Sequence, residues 1–195
     1  STGGIDLQTP EFSKSGLNNP TIYVIDKRRS WGNSLNWAEL ERIIKDMRDY
    51  EQLVLIGNSM GGFLAVLSAR RLMADVVVAF VPQWSVSPHI VPFETRWMNH
   101  RKHITSFHYP SLENCFSNRC QFYIFCGSNE DDIRHLRMFP KHINNLHCYQ
   151  LFGGGHSVAL SLKEAGILYD VILGCIEGHD LENLFLTHSC AYQKS

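Results

Sequence analysis

The sequence predicts an α/β fold: one domain, residues 1–195, with a mostly parallel sheet flanked by helices. Three observations predict it. Short runs rich in β-branched and aromatic residues alternate along the chain with segments of helical periodicity. Several of those runs are apolar at every position, as in strands of a parallel sheet covered on both faces. In addition, "LVLIGNSMGGFLAVLSARRL", Leu53 to Leu72, sets a serine between glycines where an apolar run gives way to a helical segment.

The elements follow in order. "TIYVID" (Thr21–Asp26) reads as a strand. In "LNWAELERIIKDMRDY", Leu35, Leu40, Ile43, Ile44 and Met47 recur at three- and four-residue spacings and make one helix face, with Ser34 or Asn36 as its cap. "QLVLIG" (Gln52–Gly57) is a buried strand, and "GGFLAVLSARRLM" is a helix. "DVVVAFVP" and "QFYIFCG" are two more buried strands. "DIRHLRMFPKHI" is helical until Pro140, "LHCYQLF" is a strand, and "SVALSLKEAGILYDVILGCIEG" is largely helical.

Two stretches break this rhythm. Residues 83–118 carry Trp84, Trp97, His100, His103, His108 and several prolines without periodicity. They are expected to form a lid, or a decorated crossover, between two strands. "STGGIDLQTPEF" at the start looks like a loop that follows a strand, as in a chain lacking the first strands of its sheet.

Bulk properties exclude some classes. The net charge is −1 with neutral histidines, and no basic excess points to nucleic acid. The longest apolar runs, such as Val76–Val81, are too short to span a membrane, and no signal peptide is visible. The six cysteines include no CxxC pair and no zinc-site spacing, and several lie in apolar runs. Reduced thiols in a cytoplasmic protein are expected.

The chemistry centres on Ser59. Gly57-Asn58-Ser59-Met60-Gly61 is a G-x-S-x-G at a strand-to-helix junction. Such a corner lifts the serine Oγ above the sheet edge, and the flanking glycines are expected to avoid collisions there. The N–H of Met60, at the helix start, would face a developing oxyanion. Downstream, Glu130, Asp131 and Asp132 follow one strand, and His156 follows the next after three glycines. All these residues lie at C-terminal strand ends, where open α/β sheets bind ligands.

The order serine, acid, histidine, carried by GNSMGG, SNEDD and GGGHS, resembles the α/β-hydrolase superfamily from about Thr21 to Ile172. The resemblance implies a serine hydrolase cleaving an ester or thioester through an acyl-enzyme, with acyl transfer as a variant. Ser59 would be the nucleophile and His156 the base. The acid is Asp132, with Asp131 and Glu130 as alternates; Asp132 could instead cap a helix beginning at Ile133. Met60 and Gly3, or its neighbours Thr2 and Gly4, would supply the oxyanion donors. Trp31 could line the pocket, and Arg28 or Arg29 could meet an anionic substrate. The implied partner is a small-molecule acyl substrate, with no metal and no organic cofactor. Two other readings use the same residues. One is a non-catalytic binding protein that retains the fold. The other is a flavodoxin-like phosphate binder using the Gly57–Gly62 turn, which gives His156 no role.

Overall fold

Every residue of the strand Val76–Phe80 is buried, because packed layers cover both of its faces. This strand is β2 of a five-stranded sheet in the computed structural model, which describes residues 12, 19–47 and 49–194. Its neighbours are β1 (Val54–Asn58), β3 (Gln121–Cys126), β4 (Leu146–Leu151) and β5 (Tyr192–Lys194), in the order β1-β2-β3-β4-β5. The first four are parallel, and β5 is antiparallel to β4. The predicted α/β class, with its mostly parallel sheet between helices, is the fold of the chain.

Alternation along each strand divides the core. Val77, Ala79, Phe122, Ile124 and Cys148 face one layer, made by α1 (Trp37–Asp46), α2 (Met60–Leu72), the segment 83–118 with its single-turn α3 (Met98–Arg101), and α4 (Glu130–Leu136). Val76, Val78, Phe80, Phe125 and Tyr149 face the other layer, made by α5 (Val158–Glu164), α6 (Leu168–Glu177) and α7 (Leu181–Thr187). On this second face Phe80, Phe125 and Tyr149 sit side by side across three strands, stacked with centroids 5.1 and 5.4 Å apart.

Some elements differ from expectation. Among the described residues Thr21–Asp26 pairs with no strand, and its Tyr23 and Val24 are exposed. The helical stretch after His156 is two helices, because the chain turns at Gly166 (φ +78°). Neither α7 nor β5 is among the predicted elements. Asn36 caps α1 as expected, accepting from Glu39 N–H. All six cysteines are unpaired, and burial pushes the Cys126 thiol up to about 12.

The β1–α2 corner places Ser59. Its backbone lies at φ +54°, ψ −117°, outside the regions an L-residue ordinarily occupies. Its N–H donates to Phe80 O at 2.8 Å, tying the corner to β2. The glycines have unequal roles. A Cβ on Gly57 would lie 2.1 Å from Gly61 O, so only glycine lets α2 leave so close to β1. A Cβ on Gly61 would meet nothing within 4 Å, which corrects the expectation that every flanking glycine avoids a collision. Gly57→Ala is therefore expected to cost about 3 kcal/mol or more. Gly61→Ala, in a helix, should stabilise by up to about 1 kcal/mol. Urea unfolding of both variants checks this; equal midpoints would contradict the close approach.

Candidate active site

Three strand ends deliver three side chains to one line. Ser59 follows β1, and its Oγ lies 3.0 Å from His156 Nε2. His156 follows β4, and its Nδ1 lies 2.8 Å from Asp132 Oδ2. Asp132 sits in the first turn of α4, just after β3, and is almost fully buried. The two later loops meet because Gly127 abuts Gly155: a Cβ at Gly127 would fall 1.9 Å from Gly155 O. The run Gly153–Gly155 has positive φ throughout. Gly127 thus admits the loop that carries His156, and the positive φ values of Gly153–Gly155 turn the backbone toward it.

The acid cluster separates by environment. Asp132 contacts His156, Glu130 is exposed, and Asp131 is half-buried with oxygens 3.8 Å from Arg96 and 3.9 Å from Arg134. Asp132 is not the helix cap; Asn129 is, its side chain accepting from the N–H groups of Asp131 and Asp132. Asp132 is thereby free to face the histidine.

A carboxylate can only accept, so the proton between Asp132 and His156 belongs to Nδ1. Nε2 then carries the lone pair that faces Ser59. Arg96 Nη1, 3.4 Å from Nδ1, cannot donate to a protonated nitrogen; its hydrogen bond goes to Asp132 Oδ1 at 2.8 Å.

The segment 83–118 supplies residues that sequence reading missed. Arg96 bridges Asp132 and Glu94, the latter through Nη2–Oε2 at 2.6 Å and Nε–Oε1 at 3.1 Å. Glu94 is fully buried and also contacts His135 Nε2 at 3.1 Å. His135 Nδ1 accepts from the Trp84 N–H, so the other ring nitrogen carries the proton offered to Glu94. Burial by itself would raise the Glu94 carboxyl, but hydrogen bonds from His135 and Arg96, with the Arg96 charge, bring it down to about 2. For Arg96, burial opposes the charged form and is outweighed by Glu94 and Asp132, which push its pKa up. Two buried carboxylates against one guanidinium leave one negative charge beneath His156. Gln83 is the remaining missed residue. It is fully buried, with Nε2 3.1 Å from Ser59 Oγ.

The mouth is narrow. An opening of about 10 Å³ at Ser59 is lined by Arg29, Trp31, Met60, Trp97 and His100, room for about one water. Trp97 leans on His156 and Trp31, with centroids 5.7 and 6.2 Å away. Asp26 shapes the near wall: one carboxylate oxygen accepts from Ser30 N–H, Ser30 Oγ and Gly32 N–H, and folds the loop that carries Trp31. Arg28 is exposed, whereas Arg29 reaches His100 Nε2 at 3.2 Å. Met60, the candidate oxyanion donor, begins α2 beside Ser59. The candidate donor Gly3, with Thr2 and Gly4, lies outside the described residues. Among the described residues, no group of three His, Cys, Asp or Glu is arranged to hold a metal, and no helix is long and apolar enough to cross a membrane.

No protein-family model and no curated protein matches the chain. Solved structures do. One of the capsule O-acetyltransferase of Neisseria meningitidis serogroup A, in complex with caged gadolinium, superposes with a TM-score of 0.54 at 16% identity, covering 85% of this chain and 81% of that one. Another structure of the same enzyme gives 0.52 at 14% identity, covering 72% and 68%. A histidine-to-alanine variant in complex with CoA gives 0.42 at 17% identity, and this chain spans about half of its length, 53%.

The likeness is one of fold. It nevertheless corrects the expected place in the α/β-hydrolase superfamily and the reading as a serine hydrolase of esters or thioesters, because these neighbours are named as acetyltransferases. It gives no support to a non-catalytic binding protein either. The physical reason for the error is that a G-x-S-x-G corner with a downstream acid and histidine specifies how an acyl group is taken up. It does not specify whether water or another hydroxyl removes it.

The Glu94 environment sets a pH window. The unfolded chain protonates this carboxyl near 4.5, but the folded protein holds it ionised down to about 2. Between those values the unfolded state binds more protons, so stability falls as the pH drops through the window, by ~3 kcal/mol for this group. Urea unfolding from pH 5 to pH 2, where the window lies, should give a steeper loss for wild type than for Glu94→Gln; parallel curves would contradict the buried ion network.

Proposed function

We propose that the chain is a serine acyltransferase that moves an acyl group, acetyl by the likeness to the O-acetyltransferases, from an activated ester or thioester to a hydroxyl acceptor. The observation that carries this reading is the hydrogen-bonded line Ser59–His156–Asp132, with Oγ–Nε2 at 3.0 Å and Nδ1–Oδ2 at 2.8 Å.

In the first half-reaction the Ser59 proton passes to His156 Nε2 as Oγ bonds to the donor's carbonyl carbon. The carbonyl electron pair moves to its oxygen, near the Met60 N–H at the start of α2. Collapse of this intermediate breaks the bond to the donor's leaving group, which takes the proton from Nε2. Acylated Ser59 remains. In the second half-reaction the acceptor hydroxyl gives its proton to Nε2 and attacks the acyl carbon. The C–Oγ bond breaks, and Oγ recovers the proton. Asp132 holds the ring so that Nε2 faces Oγ, and it stabilises the imidazolium formed in each half.

Transfer of acetyl from acetyl-CoA to a polyol or oligosaccharide is the assay. Ser59→Ala and His156→Ala should abolish it. Asp132→Asn should lower kcat by about 10⁴-fold, the loss that the equivalent change causes in serine proteases. Asp131→Asn and Glu130→Gln should stay within about twofold, since neither touches His156. Full activity in Ser59→Ala would end the proposal.

A further inference from the structure

We propose that Gln83 is a second hydrogen-bond donor of the reaction, acting directly on Ser59 Oγ in both half-reactions. The inference rests on Ser59 being the nucleophile.

The orientation of the Gln83 amide follows from its neighbours. Its side chain is fully buried between Trp31 and Ser59. The Trp31 indole Nε1 can only donate, so the atom facing it at 3.0 Å is the amide oxygen. The amide nitrogen must then face Ser59 Oγ, at 3.1 Å, with a hydrogen to give. A serine hydroxyl has one proton and two lone pairs. Its proton points to His156 Nε2, one lone pair accepts from Gln83, and the other is left to attack.

The backbone holds Gln83 there under strain. Val81, two residues earlier, is a buried β-branched residue at φ +44°, a conformation such residues rarely adopt. It is anchored by a 2.6 Å hydrogen bond from its N–H to Phe125 O. The turn sends the chain from the end of β2 back toward the corner after β1. On the other side, the Asp26-bound loop holds Trp31 at φ +48°. Strain on both flanks of one buried amide is the pattern of a positioned functional group.

Charge passes through Oγ twice. As the nucleophile it gives up its proton to His156 while its bond to carbon forms. As the leaving group of the acyl-enzyme it takes back the C–Oγ electron pair while the proton returns from His156. A neutral N–H aimed at Oγ stabilises the partial negative charge in each transition state and needs no reorganisation to do so. Gln83 is neither acylated nor protonated, so both steps balance as written above.

The test measures the rate at which a fluorophosphonate labels Ser59, and kcat and KM for acetyl transfer, in Gln83→Met, Gln83→Glu and Trp31→Phe. Gln83→Met keeps the bulk and loses the donor; labelling and kcat should fall by about tenfold to a hundredfold, with KM within about twofold. Gln83→Glu can still accept from Trp31 but presents an acceptor to Ser59, so it should lose at least as much. Trp31→Phe frees the amide to flip and should cost several-fold, with a loss that does not multiply with that of Gln83→Met. Folded Gln83→Met and Gln83→Glu reacting at the wild-type rate would overturn the proposal. Labelling of Ser59→Ala at the same rate would instead remove Ser59 as nucleophile, a separate failure. If the variants do not fold, the Gln83 side-chain amide of the wild type decides by NMR: its proton resonance should move when Ser59 is phosphonylated, and an unmoved resonance would count against the contact.

Discussion

The Asp132 carboxylate is the point on which the site depends. It has two oxygens and two obligations: one accepts from His156 at 2.8 Å, the other from Arg96 at 2.8 Å. A buried carboxylate with one empty side would carry a large desolvation cost. By filling both, the fold ties three separate pieces of chain together: the turn after β3, the loop after β4, and the segment between β2 and β3. Arg96 needs balance in its turn and finds it in Glu94, which is itself held by His135 and through it by the backbone of Trp84. The histidine's orientation is thus set by a buried chain of charges that begins some distance from the reacting atoms.

This arrangement gives the segment 83–118 two roles. It packs into the layer beside α1 and α2, with Val91 and Leu112 fully buried, and it borders the Ser59–His156 pair, with Trp97 against His156. Glu94, Arg96 and Trp97 lie within four consecutive residues, so the charge balance of Asp132 and the aromatic wall beside His156 come from the same short stretch. Removing Arg96 alone would leave two buried carboxylates without their shared cation, and the wall beside Trp97 would lose its anchor.

Much of this was legible in the sequence. Three of the four parallel strands announced themselves by apolar runs and β4, which carries His147 and Gln150, by its strand-forming residues; their C-terminal ends place Ser59, Asp132 and His156 at one edge. Thr21–Asp26 has strand-like residues, but strand composition makes a strand only where a partner ladder exists, and none pairs with it among the described residues. Gln83, Glu94 and Arg96 were not legible, because Ser59, Asp132 and His135, which they meet, lie 24 to 41 positions away and the segment has no periodicity to report a face. A weak signal was present: Gln83 falls three residues beyond the end of β2, at the same sheet edge as Ser59, and Glu94 and Arg96 are opposite charges two apart in an otherwise aromatic stretch. The acceptor in the proposed transfer was not legible at all, since on that reading uptake and release of the acyl group would use the same serine, histidine and acid.

The central claim is that Ser59 carries the acyl group between donor and hydroxyl acceptor. Rapid-quench mass spectrometry of the wild-type protein, mixed with acetyl-CoA and then with a polyol or oligosaccharide acceptor, tests it most directly. The expected result is one acetyl group on the peptide containing Ser59, formed before product and discharged faster with acceptor than in buffer alone, with the acetyl recovered on the acceptor. Acetylated acceptor formed at full rate with no acetyl ever found on Ser59 would contradict it.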